Sequence, residues 1–568
     1  MSALPPVLSS RITAATEAVF GTPYDPELRS ATKPEFGHYQ SNVALRIGNA
    51  LNKPPREIAT RLVAELRLDD LCEQPSIAGP GFINLTLLPR TLAKAVNEPE
   101  TFSSNGQRVV VDYSQPNVAK QMHVGHLRST VIGDALCNVL AFTGYVVIRQ
   151  NHVGDWGTQY GMMIEQLLEE GLEAESLDLE GLQHLYERSR KHFERSSGIR
   201  QHSDADGNFA HKARLRVVAL QSGDPGTRTM WRHMVEVSLD DFDKVYALLG
   251  TNLTRADVVG ESAYNDDLPR VVSELDEQGL LTESDGARCA FLPGFLGRDG
   301  NPLPVIVRKS DGGFGYSATD LAAVRHRVGT LHADRIVYVV DHRQALHFDM
   351  IFTLARTAGW LDVPAEHVSF GTVLGPNGKP FKTREGGTVK LVELLDRAVA
   401  RADALLAGRE GVDREATARA VGIGAVKYAD LSSDRGNDYV FDLDRMVAMT
   451  GNTGPYLQYA HARLTRLLSK AGPSTEVTQL TDPAELRLAL LLTGFASTVE
   501  QVAETLQPHR LCTYLYDVAS ALSVFYEQCP VLSSEGETRA SRIALCTATR
   551  KVLQDGLGLL GIEAPDAM

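Results

Sequence analysis

The spacing of apolar and polar positions changes several times along this chain. Up to about residue 100, helical spacing over roughly 6–19 and 43–66 brackets a turn-rich region, and 77–88 alternates as a strand does after the Gly79-Pro80-Gly81 turn. That predicts a small α+β domain over 1–100. From 107 to 159 the order is a buried strand through Val109, Val110 and Val111, then a helix, then a second strand near 146–150. This is a βαβ unit, so 101–160 reads as the first half of an open parallel sheet. Residues 161–301 are mostly charged amphipathic helix, predicting an insertion that splits the sheet. The α/β pattern returns over 302–390, with strands expected around Val305 and Val307, over 335–340 and over 369–376. A helical junction over 391–448 leads into 449–568, which is helical to its end and predicts a helix bundle.

Composition excludes more than it assigns. At 568 residues the chain exceeds what one core supports, and 43% hydrophobic with 23% charged residues is ordinary for a globular protein. No run of about eighteen apolar residues occurs, and the N-terminus lacks a basic region followed by an apolar core, so a cytoplasmic protein without a membrane partner is expected. The six cysteines are scattered without zinc-site spacing, which predicts reduced core residues and no protein-bound structural metal. A formal net charge of −14 argues against indiscriminate grip on nucleic acid, although local patches can still bind it.

The densest chemistry lies in residues 107–133, QRVVVDYSQPNVAKQMHVGHLRSTVIG. The apolar strand ends in turn formers (Ser114, Pro116, Asn117) and empties into a helix carrying His123 and His126, with Gly125 between them to admit a ligand to the backbone. A helix N-terminus favours anions, and two imidazoles add donors that can follow charge along a triphosphate. Lys120 stands just upstream. In open parallel sheets ligands sit beyond the carboxyl ends of the strands, so His152, Gly154, Asp155 and Gln159 are expected at the same cleft.

Two later stretches add to it. Tyr316 and Asp320 are one helical turn apart, and Gln344 and His347 follow a buried strand at its ligand-facing end. After residue 376, a loop with Gly386 and Gly387 carries Lys379, Lys382 and Arg384. A solvated basic loop is the simpler reading of that stretch taken alone. The aromatics Phe36 and Tyr39 in KPEFGHYQSN, and Tyr456, Tyr459, Arg463, Arg466 and Tyr526 near the end, could pack in their own domains or stack on unpaired bases. From Met449 onward nine Lys/Arg face twelve Asp/Glu, so RNA binding there would rest on stacking and hydrogen bonds to a few bases.

The segment SQPNVAKQMHVGHLRST resembles the His-Ile-Gly-His signature of class I aminoacyl-tRNA synthetases in its arginyl version. FKTR (Phe381 to Arg384) resembles a degenerate Lys-Met-Ser-Lys-Ser loop, with Lys120 making up for the departure. KPEFGHYQSN and IAGPGFIN are similar to the N-terminal domain of arginyl enzymes, and the last segment to their anticodon-binding domain. The resemblance implies a split Rossmann-like (HUP-type) parallel-sheet catalytic domain between an N-terminal α+β domain and a C-terminal all-α bundle. It implies a ligase acting on L-arginine, ATP with Mg²⁺ and tRNA, as a monomer. Lys120, His123, His126, Lys382 and Arg384 would stabilise transition-state charge. His123, Gly125, His126, Lys379 and Lys382 would hold ATP. Asp112, Ser114, Asn117, His123, Tyr316, Asp320 and Gln344 would hold arginine, with Asp112, Tyr316 and Asp320 clamping a guanidinium that needs carboxylates. Phe36, Tyr39, Tyr456, Tyr459 and Arg463 would touch tRNA.

Two other readings compete: a class I synthetase for another amino acid, against which Asp112, Tyr316 and Asp320 argue, and a non-catalytic RNA-binding or regulatory paralogue. A pure binder has no need of both the histidine pair and the basic loop.

Overall fold

The computed structural model describes residues 4–197, 208–381, 389–408, 413–474 and 476–568. The N-terminal unit opens with the helix Leu4–Phe20. An antiparallel sheet follows, in the order Leu28–Ser30, Tyr39–Ser41, Phe82–Leu85, Ser76–Ala78. Residues 43–66 form two helices, Val43–Leu51 and Pro55–Glu65, where one was expected. Asn52 closes the first in the left-handed region at φ 51, and Pro54 and Pro55 cannot continue it.

Four parallel strands form the central sheet, in the order Ala365–His367, Arg335–Tyr338, Arg108–Asp112, Val146–Gln150. Both faces are covered, which is why the strands read as continuous apolar runs. Val109 and Val111 join one core with Val337 and Val339, while Val110 joins another with Ile336 and Tyr338. The chain leaves Arg108–Asp112 toward one edge of the sheet and Arg335–Tyr338 toward the other. The connections therefore diverge where Asp112 pairs in register with Tyr338, and a crevice opens at that point.

Two expected strands do not belong to this sheet. Val305 and Val307 lie in Pro302–Arg308, which pairs antiparallel with Ala287–Leu296 in a separate three-stranded sheet. A boundary at 301/302 therefore cuts a hairpin, and the insertion is not helical to its end. Of residues 369–376, only Val373–Leu374 is a strand, paired with Tyr439–Val440 in a two-stranded sheet of its own. The fourth central strand is the shorter Ala365–His367, whose half-buried residues carry no alternation to read.

The C-terminal region consists of the helices Gly454–Ala471, Pro483–Leu492, Phe495–Thr505, His509–Gln528 and Gly536–Leu559. It is tied to the N-terminal unit by two reciprocal bonds between the Asn97 amide and the Val477 backbone, at 3.0 and 2.8 Å.

Candidate functional site

His123 caps the helix Val124–Phe142 in an unusual way: each of two imidazoles accepts a backbone N–H. Gly125 N donates to His123 Nδ1 at 3.0 Å, and His123 N donates to His126 Nδ1 at 3.0 Å, with the rings 4.0 Å apart. An Nδ1 that accepts carries no proton, so each neutral ring holds its N–H at Nε2. Burial, then His123 and Lys120, push the His126 imidazolium down to about 3, and burial with Lys120 lowers His123. Both rings are therefore neutral at physiological pH, with an Nε2–H donor each. A Cβ at residue 125 would lie 2.7 Å from His123 Cε1, so glycine is required for this cap.

The loop before the helix is strained. Ser114, Gln115 and Ala119 have φ of 72°, 51° and 63°, which non-glycine residues rarely adopt unless their surroundings hold them. Ser114 N donates to Ser129 Oγ (2.9 Å), Gln115 N to Asn151 Oδ1 (3.0 Å) and Ala119 N to Ser238 Oγ (2.9 Å). The Ser114 hydroxyl is buried and bonded to Tyr246 OH at 2.8 Å and Thr130 Oγ1 at 2.9 Å. The Ser114 hydroxyl, expected at the arginine site, is thus engaged within the protein and holds the loop. Asn117 is exposed and paired through its backbone with Gly154, where a Cβ would lie 2.3 Å from Asn117 Oδ1. Lys120 lies with its Nζ 4.2 Å from the centre of the Tyr186 ring, a cation–π contact to the insertion.

On the other side of the crevice, Asp112 differs from expectation. The residue is 1% exposed and its carboxylate is bound by Arg327 Nη2 at 2.6 Å, while Arg327 Nε donates to Gln150 Oε1 at 2.7 Å. The protein's own guanidinium thus occupies Asp112, so Asp112 is not a free acceptor. Asp320 is more accessible and accepts from His347 Nε2 at 2.6 Å. Tyr316, 66% exposed, rests edge-on against the His347 ring at 5.1 Å. Tyr264 and Tyr338 feel the charge of both Asp112 and Asp320, which puts the two carboxylates at the same end of the sheet. Gln344 is exposed at the start of the next helix.

One acidic group was not anticipated. Glu261 is pushed up to about 8 by burial and by the charges of Asp320 and Asp155. It sits in the 3-10 segment Glu261–Asp267, inside the stretch read as helical insertion. Gly260 precedes it, where a Cβ would meet the Asp155 carboxylate at 2.6 Å, and no local spacing in the sequence marks Glu261 itself. Asp155 is closed off by Ser262 N (2.9 Å) and Ser262 Oγ (2.6 Å), and the His152 ring stacks on Tyr264. Together with Gln159, whose side chain donates to Gly154 O at 3.3 Å, they build the wall of the crevice.

Lys382 and Arg384 lie outside the described residues, and Lys379 is exposed. The far flank of their loop is fixed: Val124 N donates to Val389 O at 3.1 Å and Leu391 N to Met122 O at 3.0 Å, so Lys390 pairs with His123.

Of the residues expected to face RNA, Phe36 is half-buried at its own surface. Tyr39 is not at the surface: the strand Tyr39–Ser41 alternates inward, outward, inward, and the Tyr39 phenol is pushed up to about 12 by burial. The outward residue is Gln40, bonded to Asn84 Oδ1 at 2.8 Å. Tyr459 is 38% exposed, and the Arg463 guanidinium lies 3.5 Å from the centre of the Tyr526 ring. Tyr456 is half core, its hydroxyl 3.2 Å from Ser523 Oγ.

Three family models cover most of the chain. Residues 88–443 match the class I (R) tRNA synthetase catalytic domain, 457–568 the DALR anticodon binding domain and 7–87 the arginyl tRNA synthetase N terminal domain. An arginine–tRNA ligase of Cutibacterium acnes is 53% identical, with 100% of each chain covered. One of Thermobifida fusca is 49% identical, with 99% of each covered. Among solved structures, the arginyl-tRNA synthetase of Plasmodium falciparum superposes with a TM-score of 0.84 at 30% identity over 100% of both chains. That of Thermus thermophilus gives 0.80 at 26%, again over 100% of both.

Proposed function

The chain belongs to the class I arginyl-tRNA synthetases, and from that premise we infer how its own residues perform the family's reaction. It is an aminoacyl-tRNA ligase that activates L-arginine with ATP, giving arginyl-adenylate and pyrophosphate, and transfers arginine to the 3′-terminal adenosine of its tRNA. The reaction needs no protein nucleophile. The arginine carboxylate attacks the α-phosphate, and the protein aligns the two and stabilises charge on the phosphorus and the departing pyrophosphate.

His123 and His126 supply the two Nε2–H donors on one side, over a Gly125 backbone open to the nucleotide. Lys120, Lys379, Lys382 and Arg384 supply cations, and the loop carrying the last three returns to the chain at Lys390, beside His123. ATP arrives with Mg²⁺. Asn117 and Gln344, exposed at the crevice rim, hold the amino-acid end. Asp320, Tyr316 and Glu261 take the guanidinium, while Asp112 acts one step back through Arg327. Phe36 in the 3-10 turn Pro34–Phe36, Gln40 on the N-terminal sheet, and Tyr459 with Arg463 in the C-terminal bundle contact tRNA. We place the chain as a cytoplasmic monomer; among the described residues no helix is long and apolar enough to cross a membrane.

One observation carries the reading: two neutral imidazole donors follow the same strand end whose neighbours include two carboxyl groups, Asp320 and Glu261, that among the described residues form no salt bridge with a lysine or arginine side chain. A phosphate and a guanidinium require those two halves together. Charging assays of the purified chain with each amino acid, with and without total tRNA, test it. Arginine alone should be esterified, and only when tRNA is present; charging of another amino acid overturns the assignment.

A further inference from the structure

We propose that His347 is a positioning residue for arginine selection, pinning one oxygen of Asp320 and bracing the Tyr316 ring so that both present themselves to the guanidinium. The inference rests on the reading that Asp320 binds the substrate side chain, and goes one step behind it. Asp320 and Tyr316 lie on the helix Tyr316–Gly329, and His347 on the helix Ala345–Thr357, so the contact crosses between elements. His347 Nε2 meets Asp320 Oδ2 at 2.6 Å, with the two side chains 21% and 17% exposed. No other side chain among the described residues hydrogen-bonds Asp320.

Asp320 needs such a donor. Two further carboxyl groups, Glu261 and Asp155, share the crevice wall, and Asp320 is the charge that acts most strongly on Glu261. Lys309 acts on Glu261 in the opposite sense, and Arg327 is already committed to Asp112 and Gln150. An unpinned carboxylate next to two like groups would turn toward water. An imidazole N–H holds it in one orientation, since Nε2–H fills Oδ2 and leaves Oδ1 for a substrate N–H. A lysine or arginine at residue 347 would compete with the substrate instead.

The second contact points the same way. Tyr316 is two-thirds exposed, and its one ring neighbour among the described residues is the edge of His347 at 5.1 Å. The ring is further backed by Phe348 at 5.3 Å, which is buried against Tyr338 at the end of the central strand. One imidazole therefore connects both guanidinium-facing groups to the sheet.

The test uses the full chain in arginine-charging kinetics with saturating tRNA. Glutamine places an N–H close to where Nε2 lies, whereas asparagine and leucine do not. His347→Leu and His347→Asn should each raise the arginine KM about tenfold or more with the ATP KM within about twofold of the parent, and His347→Gln should recover most of the loss. Circular dichroism and melting identify a leucine variant that fails to fold, and the asparagine variant then decides. An unchanged arginine KM in the asparagine and leucine variants, or equal rises for arginine and ATP, or a glutamine variant as impaired as leucine, overturns the proposal. Asp320→Asn separates the two levels. If that change leaves the arginine KM alone, the reading of Asp320 fails; if it raises KM while the His347 variants do not, only the role of His347 fails.

Discussion

The backbone N–H of His123 points at Nδ1 of His126, so the second histidine of the pair closes the helix start and presents its other nitrogen outward in the same conformation. The cap uses one edge of the ring and the proposed catalytic role the opposite one, so each can be removed alone.

Asparagine at residue 126 keeps an acceptor near Nδ1 and loses the Nε2 donor, while glutamine does the reverse. His126→Asn should melt close to the parent and lose about a hundredfold to a thousandfold in ATP–pyrophosphate exchange, the usual loss for one donor to developing charge. His126→Gln should retain more activity and lose about 1 kcal/mol of stability with the cap. An asparagine variant with near-normal exchange would show that the ring serves only as a cap.

Arginine binding should release a proton. Burial, Asp320 and Asp155 raise Glu261 to about 8, so its carboxyl is protonated at neutral pH in the free enzyme, and a guanidinium favours its ionised form. Affinity then rises with pH up to about 8, and the arginine KM falls by as much as about tenfold per unit below it, whereas the ATP KM stays flat. Stability runs the other way. A raised carboxyl pKa contributes stability that is whole below the unfolded-state value and is lost as pH rises through about 8. Glu261→Gln should flatten both profiles; an arginine KM that keeps its slope in that variant assigns the proton to another group.

How far these features are legible in the sequence depends on the distance over which they are decided. The central sheet was readable because its strands are buried on both faces and announce themselves as apolar runs, and the histidine pair because cap, glycine and turn formers are neighbours. Val305 and Val307 look like the same kind of run, yet their partner is the hairpin strand Ala287–Leu296, and pairing is a tertiary choice. Asp112 read as a substrate carboxylate because its partner, Arg327, comes 215 residues later on a helix face that looks solvated. Glu261 had no pattern at all: its chemistry comes from burial beside Asp155 and Asp320, and no local spacing encodes that.

The Asp112–Arg327 pair makes a stability prediction distinct from any effect on catalysis. Both side chains are essentially inaccessible, at 2% and 0%. Removing one charge leaves the other buried, at a typical cost of about 3–5 kcal/mol. Asp112→Asn should therefore lower the denaturation midpoint markedly. Arg327→Met in the same chain should restore part of the loss, because a neutral pair replaces an orphaned charge. If Asp112→Asn unfolds like the parent and only its arginine KM rises, the carboxylate belongs to the substrate after all.

On the N-terminal sheet the alternation of one short strand separates packing from recognition. Tyr39 points into the core, so Tyr39→Phe should leave tRNA charging within about twofold of the parent, while Tyr39→Ala opens a cavity costing about 3–5 kcal/mol. Gln40 points outward, Phe36 lies half-buried in the 3-10 turn before that strand, and base stacking on an aromatic ring contributes about 1–3 kcal/mol. Phe36→Ala and Gln40→Ala should therefore each raise the tRNA KM by about five- to a hundredfold, with arginine and ATP KM unchanged and melting close to the parent. The parity of the strand makes this decisive: a one-residue change of register would exchange the two faces and reverse every one of these outcomes. A tRNA KM that responds to Tyr39→Phe and ignores Gln40→Ala would place the RNA on the other face of the sheet.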